Sequence, residues 1–214
     1  MVPQKRTGVY FDGYNFYHAV ADLGINHLKW MSYGRLAQLL MGKAERVEFV
    51  KVFSAFATHK PNSYRRHREL AIALAAEGTE CIMGQFKEKN LWCPGCRRSH
   101  TGHEEKETDV NIAIHLLADC FADRIDVAYI VSTDSDLTPA LRMVRKLFPR
   151  IELVTVATPG RKHSFELASA CQRKATANKR MVEMCLLPQV IKDTIGKVVA
   201  TRPSEYDPPP PPTP

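Results

Sequence analysis

Long apolar runs are missing from this chain. No stretch approaches the roughly 18 apolar residues that a membrane-spanning helix needs. The opening residues, Met1-Val-Pro-Gln-Lys-Arg-Thr-Gly8, have no apolar centre, so no signal peptide is expected there. Cysteine is scarce, with six in 214 residues, which argues against a disulfide framework. Together these absences point to a reducing compartment, and we expect a cytoplasmic protein. No internal repeat is visible, which argues against a solenoid. Only one Cys-x-x-Cys occurs, so the whole chain is not a zinc ribbon. What is present is 44% hydrophobic residues, enough for the core of one ordinary domain. The formal charge of +7 permits a polyanionic partner without requiring one.

Five short apolar runs read as strands: Gly8–Phe11, Arg46–Phe56, Glu80–Phe86, Asp126–Val131 and Ile151–Ala157. Each is rich in Val, Ile or Phe, as buried parallel strands are. Helical patterns fall between them. Ser32 can cap a helix through Leu40, and Pro61 opens one that ends near Gly78. Thr108 can cap a helix whose core face is Val110, Ala113, Ile114 and Leu117. Pro139 sits just inside another helix start, and a further helix begins near Ser164. Arg180–Leu187 is either a last strand or a last helix. This alternation implies right-handed crossovers and a doubly wound α/β fold, with a mainly parallel sheet of about five strands and helices on both faces. Two regions break the rhythm. Residues 87–107 read as a long polar loop, and the segment from 201 to 214, ending in a proline run, reads as a disordered or polyproline tail.

Four aspartates fall where such a fold would gather them. Asp12 ends the first strand, Asp134 and Asp136 follow the fourth, and Asp109 opens a helix. Ligand sites in open parallel sheets lie beyond the carboxyl ends of the strands. Carboxylates converging there repel, by about 1 kcal/mol per contacting pair even in water. A hard divalent cation with oxygen ligands resolves that conflict. An acidic pocket in a basic chain therefore suggests a metal site acting on a polyanion. An aspartyl-phosphate phosphatase is disfavoured, because position 14 is Tyr where such enzymes carry a second Asp.

Three motifs carry a resemblance: Val9-Tyr-Phe-Asp-Gly-Tyr-Asn-Phe16, His103-Glu-Glu-Lys-Glu-Thr-Asp-Val-Asn-Ile-Ala113 and Val131-Ser-Thr-Asp-Ser-Asp-Leu137. In order and spacing they resemble the NYN family, a branch of the PIN-like (5′-exonuclease-like) ribonuclease superfamily, over roughly residues 7–190. The resemblance implies a PIN-like domain over 1–200 that hydrolyses RNA phosphodiesters with Mg²⁺ or Mn²⁺. It assigns Asp12, Asp109, Asp134 and Asp136 to the acidic site, and Asn15 to positioning Asp12 or touching substrate. Ser132 and Thr133 are loop residues that could also meet phosphate. Two other readings stay open: an RNA-binding module with little catalysis, and a DNA-directed structure-specific nuclease. Self-association as a homo-oligomer is also left open.

Within 87–107, Cys93-Pro-Gly-Cys96 is followed by His100 and His103. Four such ligands suit a tetrahedral structural Zn²⁺, with His103 the first histidine candidate and His100 the second. Cys81, Cys120, Cys171 and Cys185 read as core residues. Basic residues flank the expected ligand end: Lys60, Arg65, Arg66 and Arg68, then Arg97 and Arg98, then Arg161 and Lys162. The last pair follows a parallel strand and is the best candidate for phosphate contact. Tyr14 and Trp92 are candidates to stack on unpaired bases, while Phe16 reads as core and His18 and His67 as helix-surface residues.

Overall fold

Alternation along the first strand divides its side chains between two cores. In the structure, a computed structural model that describes residues 3–210, strand β1 (Lys5–Asp12) is buried over its last six residues. Val9 and Phe11 enter one core with Val127, Tyr129 and Val131, while Tyr10 enters the other with Ala128 and Ile130. A sheet buried on both faces leaves no polar alternation, which is why its strands read as unbroken apolar runs.

The remaining strands of the main sheet are β2 (Glu45–Ala55), β3 (Glu80–Cys93), β4 (Arg98–Lys106), β5 (Val127–Val131), β6 (Glu152–Ala157) and β7 (Arg173–Thr176). Their order is β4-β3-β2-β1-β5-β6-β7, and all neighbours are parallel except the antiparallel pair β3–β4. The helices are α1 (Gly13–Ala21), α2 (Tyr33–Leu40), α3 (Pro61–Ala76), α4 (Thr108–Phe121), α5 (Thr138–Leu147), α6 (Phe165–Ala170) and α7 (Lys179–Met184). A small antiparallel pair, β8 (Val190–Lys192) and β9 (Val198–Thr201), follows. No helix among the described residues is long and apolar enough to cross a membrane. The strand order reverses between β1 and β5, so the crevice beyond their carboxyl ends is the topological switch point of the sheet.

Local signals mark several helix ends correctly. Ser32, Ser164 and Asn178 each accept a hydrogen bond from the backbone N–H three residues on, and so cap α2, α6 and α7. Pro61 and Pro139 lie in the first turns of α3 and α5. Gly78 follows α3 with φ +85°.

Three expectations fail. Residues 87–107 are not an irregular loop. Strand β3 runs on past its last pairing with β2, at Gly84, and turns back as β4, with Gln85 opposite Lys106 and Cys93 opposite Arg98. Eight residue steps make an arm of about 26 Å. Beyond its base, where Phe86 and His103 are half-buried, the arm is mostly exposed, so its polar sequence carries little hydrophobic alternation. A side chain at Gly84 would meet the Lys106 carbonyl at 2.5 Å, so the arm can leave the sheet there only with glycine. The core face of α4 is also different: Ile112, Leu116 and Cys120 are buried, whereas Val110 and Ile114 are more than half exposed. The helix is apolar around most of its girth, so periodicity alone chose the wrong stripe. Finally, the segment from 201 onward is ordered at its start. Thr201 belongs to β9, and Tyr206 is buried in a turn (Ser204–Tyr206). Arg65 and Arg66 hold Glu205 at 2.6 and 3.2 Å. Residues 211–214 of the proline run lie outside the described residues.

Beneath α4, in the core away from α1, lies a buried ionic cluster. Lys51 Nζ is 2.6 Å from Asp119 Oδ2, and both side chains are less than 5% exposed. The Tyr10 hydroxyl donates to the same oxygen at 2.8 Å, and Arg124 donates to Oδ1 at 2.8 Å.

Candidate functional site

The loops at the switch point are tied together before any ligand is considered. Asp12 caps α1, its Oδ1 accepting the Asn15 N–H at 2.9 Å. Its Oδ2 accepts the Ser132 hydroxyl at 2.8 Å, which joins the end of β1 to the end of β5. Ser132 Oγ in turn accepts the Asp134 N–H at 3.0 Å, and Asp134 Oδ1 accepts the Asp136 N–H at 2.9 Å. Asn15 Oδ1 takes the N–H and hydroxyl of Thr133 at 3.3 and 3.2 Å. Ser132 and Thr133 therefore brace the site through donors that phosphate would otherwise use. Gly13 permits the turn, since a side chain there would sit 2.7 Å from the Phe53 carbonyl.

The braced loops and the start of α4 surround an open pocket of about 420 Å³. Asp12, Asp109 and Asp134 line it, and Glu105 and Thr108 complete that wall. Tyr14, Asn15, His18, Thr133 and Arg161 form the rest, while Ser132 stands behind the wall. Asp136 does not line the pocket and is exposed. Its charge nonetheless helps raise the Asp109 pKa. Burial pushes the Asp12 carboxyl up to about 6, and the charges of Asp134 and Glu105 add to that against the lowering by Asn15 and Ser132. Burial also pushes Asp109 up to about 6, helped by Asp12, Asp134, Glu105 and Asp136. Buried carboxyls that also repel one another would be eased by a hard cation. The donor set is all oxygen, which suits Mg²⁺ or Mn²⁺, and Asp12, Asp109 and Asp134 are the residues that would hold the ion, although their oxygens are not all drawn within 4.8 Å of one another as the Cys93, Cys96 and His100 donors are.

Glu105 escaped the sequence reading. Three glutamates lie within four residues at 104–107; the register of β4 with β3 separates Glu104 from Glu105, and Glu107 falls beyond the strand. Glu105 Oε1 accepts the Thr108 N–H at 3.2 Å and also its hydroxyl, so Glu105 rather than Thr108 supplies the side-chain cap to α4. Glu107, at φ +81°, is the turn residue before the helix.

The basic candidates are less free than expected. Arg161 reaches the acidic pocket but is ion-paired with Asp22. Lys162 is exposed and outside the pocket. Arg65 and Arg66 grip Glu205. Arg97 and Arg98 stand exposed at the tip of the β3–β4 arm beside Trp92, which is 62% exposed. Of the histidines expected on the helix surface, His18 is exposed on α1 and also borders the acidic pocket, whereas His67 is half-buried with its pKa pushed down to about 4 by burial.

At that tip Cys93, Cys96 and His100 converge, their ligand atoms within 4.8 Å of one another. His100 Nε2 lies 3.1 Å from Cys96 Sγ, and the Cys96 N–H helps lower the Cys93 pKa. His103 is elsewhere. It stacks on His59 with ring centroids 3.6 Å apart and sits 3.7 Å from Glu88. Three strand steps carry it about 10 Å along β4 and onto the opposite face, so His100 displaces it as the histidine partner. Three soft or borderline donors suit zinc with a fourth ligand from solvent or substrate. We expect purified protein to carry about one zinc, and Cys93→Ser to lose it and loosen the arm while leaving the sheet intact. Elemental analysis with thiol alkylation checks this; zinc-free protein with both thiols fully reactive contradicts it.

A doubly wound sheet with carboxylates gathered at its switch point defines a class of α/β proteins suited to metal-dependent chemistry on phosphates. Within it, the chain belongs to the NYN domain family, whose model matches residues 6–177. The NYN family is a branch of the PIN-like ribonuclease superfamily. Over 91 residues the chain is 34% identical to the 6-hydroxy-3-succinoylpyridine 3-monooxygenase HspA of Pseudomonas putida (strain DSM 28022 / S16). That match covers 41% of this chain and 29% of HspA, so the chain spans under a third of that relative's length. The structure resembles a protein of unknown function, VPA0982, from Vibrio parahaemolyticus RIMD 2210633, with TM-score 0.58 and 15% identity over 84% of this chain and 96% of that one. At that identity the likeness concerns the fold alone.

Proposed function

We propose that this protein is a divalent-metal-dependent ribonuclease that hydrolyses RNA phosphodiester bonds at the pocket formed by Asp12, Asp109 and Asp134. The observation that carries the reading is their convergence at the switch point, with Asp12 and Asp109 both raised to about 6. Mg²⁺ or Mn²⁺, when bound, supplies positive charge where the phosphodiester develops negative charge. The remaining work belongs to the chain. Ser132 and the Asn15 N–H hold Asp12 in one orientation. Asn15 fixes Thr133 and thus the loop that presents Asp134. Asp136 acts from behind, through its N–H on Asp134 and its field on Asp109. Arg161, at the pocket wall, is placed to meet a substrate phosphate once it exchanges Asp22 for that anion. Lys162 adds long-range attraction. The exposed arm, with Arg97, Arg98 and Trp92, is suited to hold the strand away from the cut, stiffened by zinc at Cys93, Cys96 and His100.

The six free cysteines fit the reducing cytoplasm proposed for it. The test is cleavage of matched single-stranded RNA and DNA oligomers with Mg²⁺, Mn²⁺ or EDTA. The account expects RNA to be cut only with metal. Cutting in EDTA, or of DNA alone, contradicts it.

A further inference from the structure

A second cavity, of about 240 Å³, lies beside the acidic pocket, between α1 and α3 on the β2–β3 surface. It opens to solvent past Tyr14, His18 and Lys60, which are exposed, and concave sites with apolar walls and a few polar groups are where ligands bind. It shares Tyr14 and His18 with the acidic pocket, so the two are neighbours across one wall. The shared wall continues as a chain of rings. Tyr14 meets His18 at 4.5 Å and Phe86 at 6.5 Å between centroids. Phe86 meets His59 at 5.3 Å, and His59 stacks on His103. All five rings line the cavity.

Inside the cavity, Val52, Leu70 and Met83 offer apolar surface, and Tyr17, Tyr33 and Tyr206 line the wall, Tyr206 bonded to Tyr17 and Arg66. Two cationic side chains, Arg66 and Lys60, stand on its wall. Arg66 is held by Glu205, and Lys60 is exposed. His67 is neutral at pH 7, because burial pushes its pKa to about 4, and so it presents one donor and one acceptor. A flat, apolar-faced and neutral polar-edged group matches the rings and apolar side chains that make up most of these walls.

We infer that this cavity receives one unpaired base of the RNA, from a nucleotide adjoining the phosphate held at the acidic pocket. The inference rests on the ribonuclease reading for its substrate, and it adds a subsite that would choose where along the strand the cut falls. Bases stack on aromatic side chains irrespective of identity, and their edges are then read by hydrogen bonds.

The test measures binding in the Asp134→Asn background, where no RNA is consumed. One ligand is an RNA oligomer and the other is the same ribose-phosphate chain without bases. Ala71 is half-buried on the cavity wall, so Ala71→Phe fills the space from a position far from the carboxylates. The expected result is that the preference for the base-bearing oligomer falls about tenfold, as losing one stacked base would give. Affinity for the baseless chain should stay unchanged. Should Ala71→Phe misfold, His59→Ala removes one ring of the frame and should lower the same ratio. An unchanged ratio in a folded variant overturns the inference. So does tight binding of free adenosine that RNA cannot displace, which would mark a small-molecule site instead. If the ratio falls but wild-type protein cuts no RNA, the base site stands and the nuclease reading fails. If RNA is cut and the ratio holds, the reverse is true.

Discussion

Asp12→Asn is expected to abolish metal-dependent cleavage, by about a thousandfold or more, while making the metal-free protein more stable at pH 8. The first half follows from removing a carboxylate from a site where cation charge supplies several kcal/mol of transition-state stabilisation. The second follows from linkage. The Asp12 carboxyl is raised above its unfolded value to about 6. Its contribution to stability is therefore complete below the unfolded pKa and is lost as pH rises through about 6. A shift from 3.8 to about 6 corresponds to about 3 kcal/mol for this buried group. Asparagine cannot ionise and keeps an acceptor for the Asn15 N–H. Wild type and variant should melt alike near pH 4, with the variant higher by several degrees at pH 8 and Mg²⁺ narrowing that gap. Melting curves at the two pH values, without and with Mg²⁺, check this. A variant less stable than wild type at pH 8 contradicts it.

Asp119→Ala should cost about 3–5 kcal/mol of folding stability, the usual effect of removing one partner from a buried ion pair. The loss would strand the ammonium of Lys51, which is 2.6 Å from Asp119 and almost wholly buried, and would deprive Tyr10 of its acceptor. The paired change Lys51→Met with Asp119→Leu removes both charges and should recover most of the loss. Urea denaturation decides it. A single variant within 1 kcal/mol of wild type would mean that water already solvates Lys51.

The sequence disclosed the parts of this molecule governed by short-range rules. The strands β1, β2, β5 and β6 declare themselves by apolar runs, and Ser32, Pro61, Pro139 and Ser164 mark helix ends because capping is local. The sequence positions of Asp12, Asp109 and Asp134 could be matched to strand and helix ends, so their gathering was legible once the fold class was. Residues whose role depends on register were not. Glu105 is separated from Glu104 by the face of β4 each occupies, and from Glu107 because Glu107 lies past the strand in the turn before α4. The same register places His100, and not His103, with the cysteines. Asp119 gave no signal, since an aspartate on an apolar helix face is readable only when Lys51 is seen opposite. The cavity beside Tyr14 arises from packing between α1 and α3 and is written in no local motif.

The most direct test is to measure bound Mn²⁺ and the rate of RNA cleavage in parallel as Mn²⁺ is raised, for wild type and Asp134→Asn. The account predicts that the wild-type rate rises with occupancy of the acidic pocket. It also predicts that Asp134→Asn loses both the bound ion and the cleavage while still binding RNA. Cleavage that is independent of Mn²⁺, or that survives undiminished in Asp134→Asn, would contradict a catalytic metal site at these carboxylates.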